Sequence, residues 1–361
     1  MIGASGVPGP AAPGARRASI ARVAVPWLVA AGCLAYAFQV VPFDACVAAL
    51  GRARLGLFLP LVAAAVLVWF GLESAAYAYT FSRFNGPLAW RDARSLRALS
   101  YLLTVFHWHL AKAAVVLRLN TAHGVGLLAA TSTLLLYQMI GILVLALFAS
   151  LGAAFLPTRP GLAPVAALAL AGAGVVLASL LVLRSHRPRI RLLDELRALT
   201  LLQAHRQLEA RDVAIIGGIK IVYQLIFVFV YFLGMRAFGL SPSFSLVLLA
   251  APILQAVGSL PIAPAGLGTQ QAAMLFLFSD PAANGTDGPA ILAFGFSLPI
   301  TTLALRSLLA LCYLPDLLRP GSGTAFGATP DDASGAASGG AAPEASASST
   351  TGARSSATTR V

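Results

Sequence analysis

Between Gly258 and Phe278 the chain reads Gly-Ser-Leu-Pro-Ile-Ala-Pro-Ala-Gly-Leu-Gly-Thr-Gln-Gln before an apolar run. Pro261, Pro264, Gly266 and Gly268 thus interrupt a region that is hydrophobic on both sides. In lipid, an interrupted helix leaves amides and carbonyls unpaired, at several kcal/mol each. Such a break survives only where it is buried in protein or lines a polar cavity. Short hydrophobic pieces around Pro/Gly punctuation also mark transporter binding sites. The plainer alternative is a loop between two ordinary spans.

The surrounding chain is built for lipid. Its mean hydropathy of +0.82, with 58% hydrophobic and 11% charged residues, excludes an ordinary soluble domain, which carries about 25% charge. Apolar segments recur at 23–41, 55–79, 96–117, 124–149, 162–183, 213–238, 244–279 (broken) and 290–314, so the expected fold is an all-α polytopic transmembrane bundle. Residues 1–22 read as a flexible basic arm. Residues 319–361, rich in Ser, Gly and Ala, read as a disordered tail that lacks the large apolar side chains a core needs. The domain itself is expected over 23–318. Ile190–Arg211 reads as an amphipathic connector at the interface.

A net charge of +12 raises the question of nucleic acid, but the arginines sit in connectors between apolar runs, which is an orientation signal. Cys33, Cys46 and Cys312 form no CxxC pair and suggest neither a disulfide framework nor a zinc site; Cys33 and Cys312, inside apolar runs, read as small buried hydrophobes. Val29–Cys33 has a faint likeness to a lipoprotein cleavage site, but the apolar run continues past Cys33, as in a retained anchor.

Arginine counting sets the topology. If 96–117 crossed fully, the connector with Arg184, Arg187, Arg189, Arg191, Arg197, Arg206 and Arg211 would lie outside, against the positive-inside rule. If 96–117 enters and leaves on the cytoplasmic side, those arginines are inside with Arg83, Arg91, Arg94, Arg97 and Arg118. Only Arg52, Arg54, Arg159 and Arg236 then remain outside. The expectation is six full spans plus two re-entrant elements from opposite sides, the layout of an inverted repeat, with both termini cytoplasmic.

Glu73, Lys112, Lys220 and Arg306 lie well inside apolar segments, where a charge costs about 2.5–3.5 kcal/mol on insertion scales. Lys220 and Arg306 lie about two turns from their span ends and could instead snorkel. Lys112 is expected to bind a lipid phosphate. His107 and His109 add titratable groups near it, but their i,i+2 spacing points them apart and leaves no metal site. A helix restarting at Thr269 would turn its free N–H groups toward the Gly266/Gly268 break, with Gln270 and Gln271 as neutral hydrogen-bonding groups. Lys112, Pro264, Gly266, Gly268, Thr269, Gln270 and Gln271 are therefore the expected substrate-binding residues, with Glu73, His107, His109, Lys220 and Arg306 secondary. No GxSxG, HExxH, P-loop or dinucleotide fingerprint occurs in a suitable context, so neither enzyme nor cofactor is expected. Gly172-Ala-Gly174 reads as a small-residue packing surface.

Leu260-Pro261 and Pro264-Ala-Gly-Leu-Gly268-Thr-Gln-Gln271, running into an apolar helix, resemble the late motif of the lysylphosphatidylglycerol synthase transmembrane, or flippase-like, family. Arg118 followed by Gly124-Val125 is similar to the family's first-half region. Departures accompany the likeness. Ala265 stands for a Gly, Gln271 for the expected acid, Tyr137-Gln138 and Gly141 for the usual Arg and Asp, and His107-Trp-His-Leu-Ala-Lys112 for the early Gly-acid step. The resemblance implies lipid translocation or lipid-linked glycan handling in a bacterial inner membrane; with Lys112 and the restarting helix, the expected substrate is an anionic lipid or lipid-linked intermediate with a phosphate headgroup. It leaves open a non-transporting accessory subunit of a lipid or glycan biosynthesis enzyme.

Overall fold

The computed structural model describes residues 28–105, 108–155, 163–184, 202–259, 268–278 and 288–318. Among these the secondary structure is helical throughout. Helices α1 (Leu28–Val40) and α2 (Phe43–Arg52) meet at a 76° bend. There follow α3 (Leu55–Asn85), α4 (Trp90–Thr104), α5 (Trp108–His123), α6 (Leu127–Ala154) and α7 (Ala163–Arg184). A single turn, α8 (Gln203–Arg206), precedes α9 (Ala210–Ala237), α10 (Phe244–Ser259), α11 (Thr269–Phe278), α12 (Gly288–Cys312) and α13 (Leu314–Leu318). The chain is an all-α membrane bundle. Helices α3, α6, α9 and α12 are long and apolar enough to cross a bilayer, and α1–α2 makes a fifth if the bent pair is one span. Helix α7 coincides with the remaining expected span at 162–183.

The order of lengths repeats. A long helix, two short ones and a long one (α3, α4–α5, α6) recur as α9, α10–α11, α12. Packing repeats as well: α3 packs on α4 as α9 does on α10, and α4 meets α5 as α10 meets α11. Most tellingly, α4 lies against α12 of the other half while α10 lies against α6. Each half's short pair is braced by the other half.

Side-chain ties fix the directions. At one face, the end of α3 is bound to the start of α9 by Tyr79 donating to Asp212 Oδ1 at 2.7 Å and by Arg83 pairing with Glu209 and Asp212. At the opposite face, the Arg54 N–H before α3 donates to Ala237 O at the end of α9, at 2.8 Å. Helices α3 and α9 are therefore antiparallel. Helix α6 begins at the first face, where Ser132 accepts the Ala204 N–H, and ends against α10, where Gly152 abuts Leu249. Since α3 ends and α6 starts at the same face, the intervening α4–α5 pair goes in and returns; Asp92 at the start of α4 indeed lies close to His123 at the end of α5. By the same reasoning α10–α11 returns to the opposite face, because α9 ends there and α12 starts there beside α2, with Gly288 close to Val41.

Local chemistry explains the ends. Helix α9 opens with a capping box: the Glu209 carboxylate accepts the Asp212 backbone N–H while the Glu209 N–H donates to Asp212 Oδ2 at 3.0 Å. The α5–α6 turn closes through Gly124 at φ 69°, with Asn120 Nδ2 donating to Val125 O at 2.9 Å. That is the structural content of the Gly124-Val125 step. Gly172 and Gly174, read as packing residues, face open space instead. The close crossings fall at Gly152 and Gly234, where a Cβ would meet the Leu248–Leu249 backbone and the Phe294 ring. Cys312, read as buried, is exposed on α12, whereas Cys46 is buried. The connector expected at 190–211 lies largely outside the described residues; its last two residues already belong to α9.

If α4–α5 returns to its own face, Arg94→Cys and Arg118→Cys should both react with an impermeant thiol reagent added from one side. Labelling from opposite sides would remove the re-entrant assignment.

Candidate functional site

The polar centre of the bundle is built on α3. One face of that helix buries Trp69, Phe70, Glu73, Ser74, Tyr77 and Thr80. A carboxylate there, 7% exposed, needs a cation. Arg97 on α4 supplies it, forming an ion pair with Glu73 Oε2 while itself only 5% exposed. Tyr101, one turn on, donates to the same oxygen at 3.1 Å. The Arg97 guanidinium lies 4.5 Å from the Tyr101 ring centroid and 5.6 Å from that of Tyr77, and Nη1 donates to the Tyr77 hydroxyl at 3.4 Å.

Three further cations surround this pair. Arg306 of α12 donates to the Tyr223 hydroxyl at 3.5 Å and stands over Tyr101 (4.8 Å) and Trp69 (5.7 Å). Lys220 of α9 rests on Tyr137 with Nζ 3.6 Å from the ring centroid. Lys112 of α5 is near enough to Arg97 and Lys220 for mutual repulsion, and Glu73 acts on both Lys220 and Arg306. Four cations from four helices therefore gather around Glu73, which among the described residues is the one carboxylate in the cluster, and Lys112, Lys220 and Arg306 are only partly buried. Among the described buried atoms, Arg97 Nε, Arg306 Nε and the Tyr137 hydroxyl have no hydrogen-bond partner. Counted along the helices at about 1.5 Å per residue, the cluster sits roughly 10–20 Å from the first face. The arrangement combines excess positive charge, aromatic walls and unused donors at membrane depth.

Of the expected residues, Glu73, Lys112, Lys220 and Arg306 are thus brought into one cluster. Snorkelling does not describe Lys220 or Arg306, whose head groups lie on tyrosine and tryptophan rings of neighbouring helices. His109 is an exposed α5 residue, and His107 lies outside the described residues. Arg97, counted only among the arginines on the cytoplasmic side, is a buried member of the cluster. Its signal was available, since Ala93, Arg97, Ser100 and Tyr101 share the spacing of one buried helical stripe. Tyr137, which with Gln138 and Gly141 stands where the resembled family carries Arg and Asp, lies under Lys220, and a Cβ added at Gly141 would lie 3.8 Å from Lys220 Cε.

The second element is the break before α11. Helix α11 restarts at Thr269, as the Pro/Gly pattern requires; Pro264 and Gly266 lie outside the described residues. Gly268 has φ 83°, and a Cβ there would stand 2.6 Å from Ala30 O on α1, so both conformation and close approach demand glycine. Gln271 is buried and fully engaged: its Oε1 accepts the Gly268 N–H at 2.7 Å and its Nε2 donates to Gly295 O on α12 at 2.9 Å. Gln270 donates to the Tyr231 hydroxyl at 3.1 Å. The glutamine pair ties α11 to α9 and α12. Among the described residues no group of three His, Cys, Asp or Glu side chains gathers as a metal site.

No curated protein and no solved structure matches the chain. One family model does, that described as the lysylphosphatidylglycerol synthase TM region, and it covers residues 23–322. With that match spanning both braced halves and the charged centre between them, the chain belongs to the lysylphosphatidylglycerol synthase transmembrane-region family as a multi-pass integral membrane protein.

Proposed function

We propose that the protein binds an anionic lipid or lipid-linked intermediate and moves it across a bacterial inner membrane, with the headgroup taken up by the cluster of Arg97, Lys112, Lys220 and Arg306. One observation carries the reading. Four cations from four helices gather at membrane depth around Glu73, which among the described residues is the one carboxylate in the cluster, and three of them, Lys112, Lys220 and Arg306, remain partly exposed. Fixed positive charge in lipid is costly unless an anion compensates it. Two braced, oppositely directed short pairs supply what alternating exposure of such a site requires, a half that can rock against its counterpart. In this reading the first face is cytoplasmic, as the arginine distribution favours, and the termini lie on that side.

Gln271 favours a second reading. It stands where the resembled family carries an acid, yet its amide is spent on holding α11, which suits an accessory subunit that binds lipid and a biosynthetic partner without moving anything.

Lys220→Met tests the site. Lys220 forms no salt bridge among the described residues, so its loss strands no partner there and should weaken retention of phosphatidylglycerol, read by native mass spectrometry, by about fivefold to tenfold. Unchanged retention would place the headgroup elsewhere. Vesicles with fluorescent phosphatidylglycerol separate the two readings: loss of leaflet asymmetry supports translocation, and binding without movement supports the accessory role.

A further inference from the structure

We infer a second anion site at the opposite face, formed by Arg52, Arg54 and Arg236 and suited to a phosphate-bearing headgroup. Arg52 ends α2, Arg54 precedes α3, and Arg236 is in the last turn of α9. The Arg54–Ala237 backbone bond staples these elements, so the three side chains meet at a fixed rim. They line a cavity of about 580 Å³ together with Phe238, Gly239 and Ser241. Arg54 and Arg236 also border an adjoining cavity of about 310 Å³ walled by Leu57, Leu61 and Leu233. The pair forms one groove, cationic at the rim and apolar along the α3–α9 seam, where Leu57 and Leu233 are 63% and 44% exposed.

Local needs explain only part of this. A cation in the last turn of a helix complements its dipole, which accounts for Arg52 and Arg236. Arg54 stands at the start of α3, where a cation is unfavourable, and the dipole does not require all three to converge. Among the described residues none of them forms an ion pair; Arg236 lies over the Phe232 ring at 4.3 Å and Arg52 Nε donates to Ala48 O at 3.3 Å, so guanidinium donors are left over. By the arginine count only Arg52, Arg54, Arg159 and Arg236 fall on this face. Three of the four residues that run against the charge gradient are therefore gathered at one spot. Guanidinium forks match phosphate oxygens, and the leucine wall below fits the start of an acyl chain.

This site deepens the reading above, giving the same lipid a station at each face, but its geometry is independent of the central cluster. The test titrates purified protein in detergent with dioctanoyl phosphatidylglycerol, with dioctanoyl phosphatidylcholine as the neutral control and inorganic phosphate as the free-anion arm. Binding is counted by native mass spectrometry in the Lys220→Met background, where the first site is weakened. Adding Arg54→Gln and Arg236→Gln should weaken the remaining phosphatidylglycerol binding by roughly 25-fold, about fivefold per arginine. Arg54→Lys with Arg236→Lys should keep most of it. If the glutamine pair lowers the melting temperature, Arg52→Gln alone, outside the staple, should still cost about fivefold. Displacement by millimolar phosphate identifies a free anion as the source, and resistance to it identifies the lipid; either result keeps the site. Unchanged phosphatidylglycerol binding in a folded Arg54→Gln/Arg236→Gln protein overturns it, whatever becomes of the central cluster.

Discussion

Glu73→Gln should cost about 3–5 kcal/mol of stability, the usual penalty for stranding one member of a buried ion pair. Arg97 would be left 5% exposed among Tyr77, Tyr101 and Ser100, with three more partly buried cations nearby and its carboxylate gone. Thermal unfolding in detergent should show a marked fall in melting temperature. The double variant Glu73→Gln/Arg97→Met, with neither charge, should recover most of that loss. A single-variant penalty below about 1 kcal/mol would mean that water or lipid phosphate already compensates Arg97, and the buried pair would lose its standing as the keystone of the cluster.

Gly152→Ala should be nearly as damaging for a different reason. A Cβ there would stand 2.5 Å from Leu249 Cα and 2.7 Å from Leu248 C, both backbone atoms of α10. No rotamer relieves such a clash, so α10 must move off α6, at about 3 kcal/mol, the upper end of ordinary overpacking. Gly172→Ala and Gly174→Ala meet open space on α7 and should be neutral or slightly stabilising through helix propensity. Equal melting temperatures for Gly152→Ala and Gly174→Ala would show that the α6–α10 crossing is looser than described.

Pro261, Pro264, Gly266 and Gly268 announced the restart of a helix at Thr269, because those residues forbid helix or permit positive φ whatever surrounds them. The first short pair carries no such marker between residues 96 and 117; only the distribution of arginines over the whole chain pointed to its return. That same counting hid Arg97. It treats every arginine as a connector charge, whereas position on a helical stripe decides burial. Glu73, Lys220 and Arg306 could be flagged singly as charges in apolar runs, but their meeting depends on how α3, α9 and α12 cross, which no local pattern encodes. Gln271 shows the opposite difficulty. A buried amide serves a ligand or a neighbouring helix equally well by residue type, and the Gly268 N–H and Gly295 carbonyl that engage it become visible only in three dimensions.

The exchange of braces between the halves bears on biosynthesis. Helix α4, which carries Arg97, rests on α12, whose first residue is synthesised more than 180 positions later. Until then the first half must wait in the membrane with an arginine-bearing hairpin only partly covered, although Glu73 is already at hand to neutralise it. Because each half's short pair packs on the other half, the two are expected to mature together or be degraded together. Two separately expressed halves would reassemble only if made in the same cell at the same time, each serving as template for the other's hairpin.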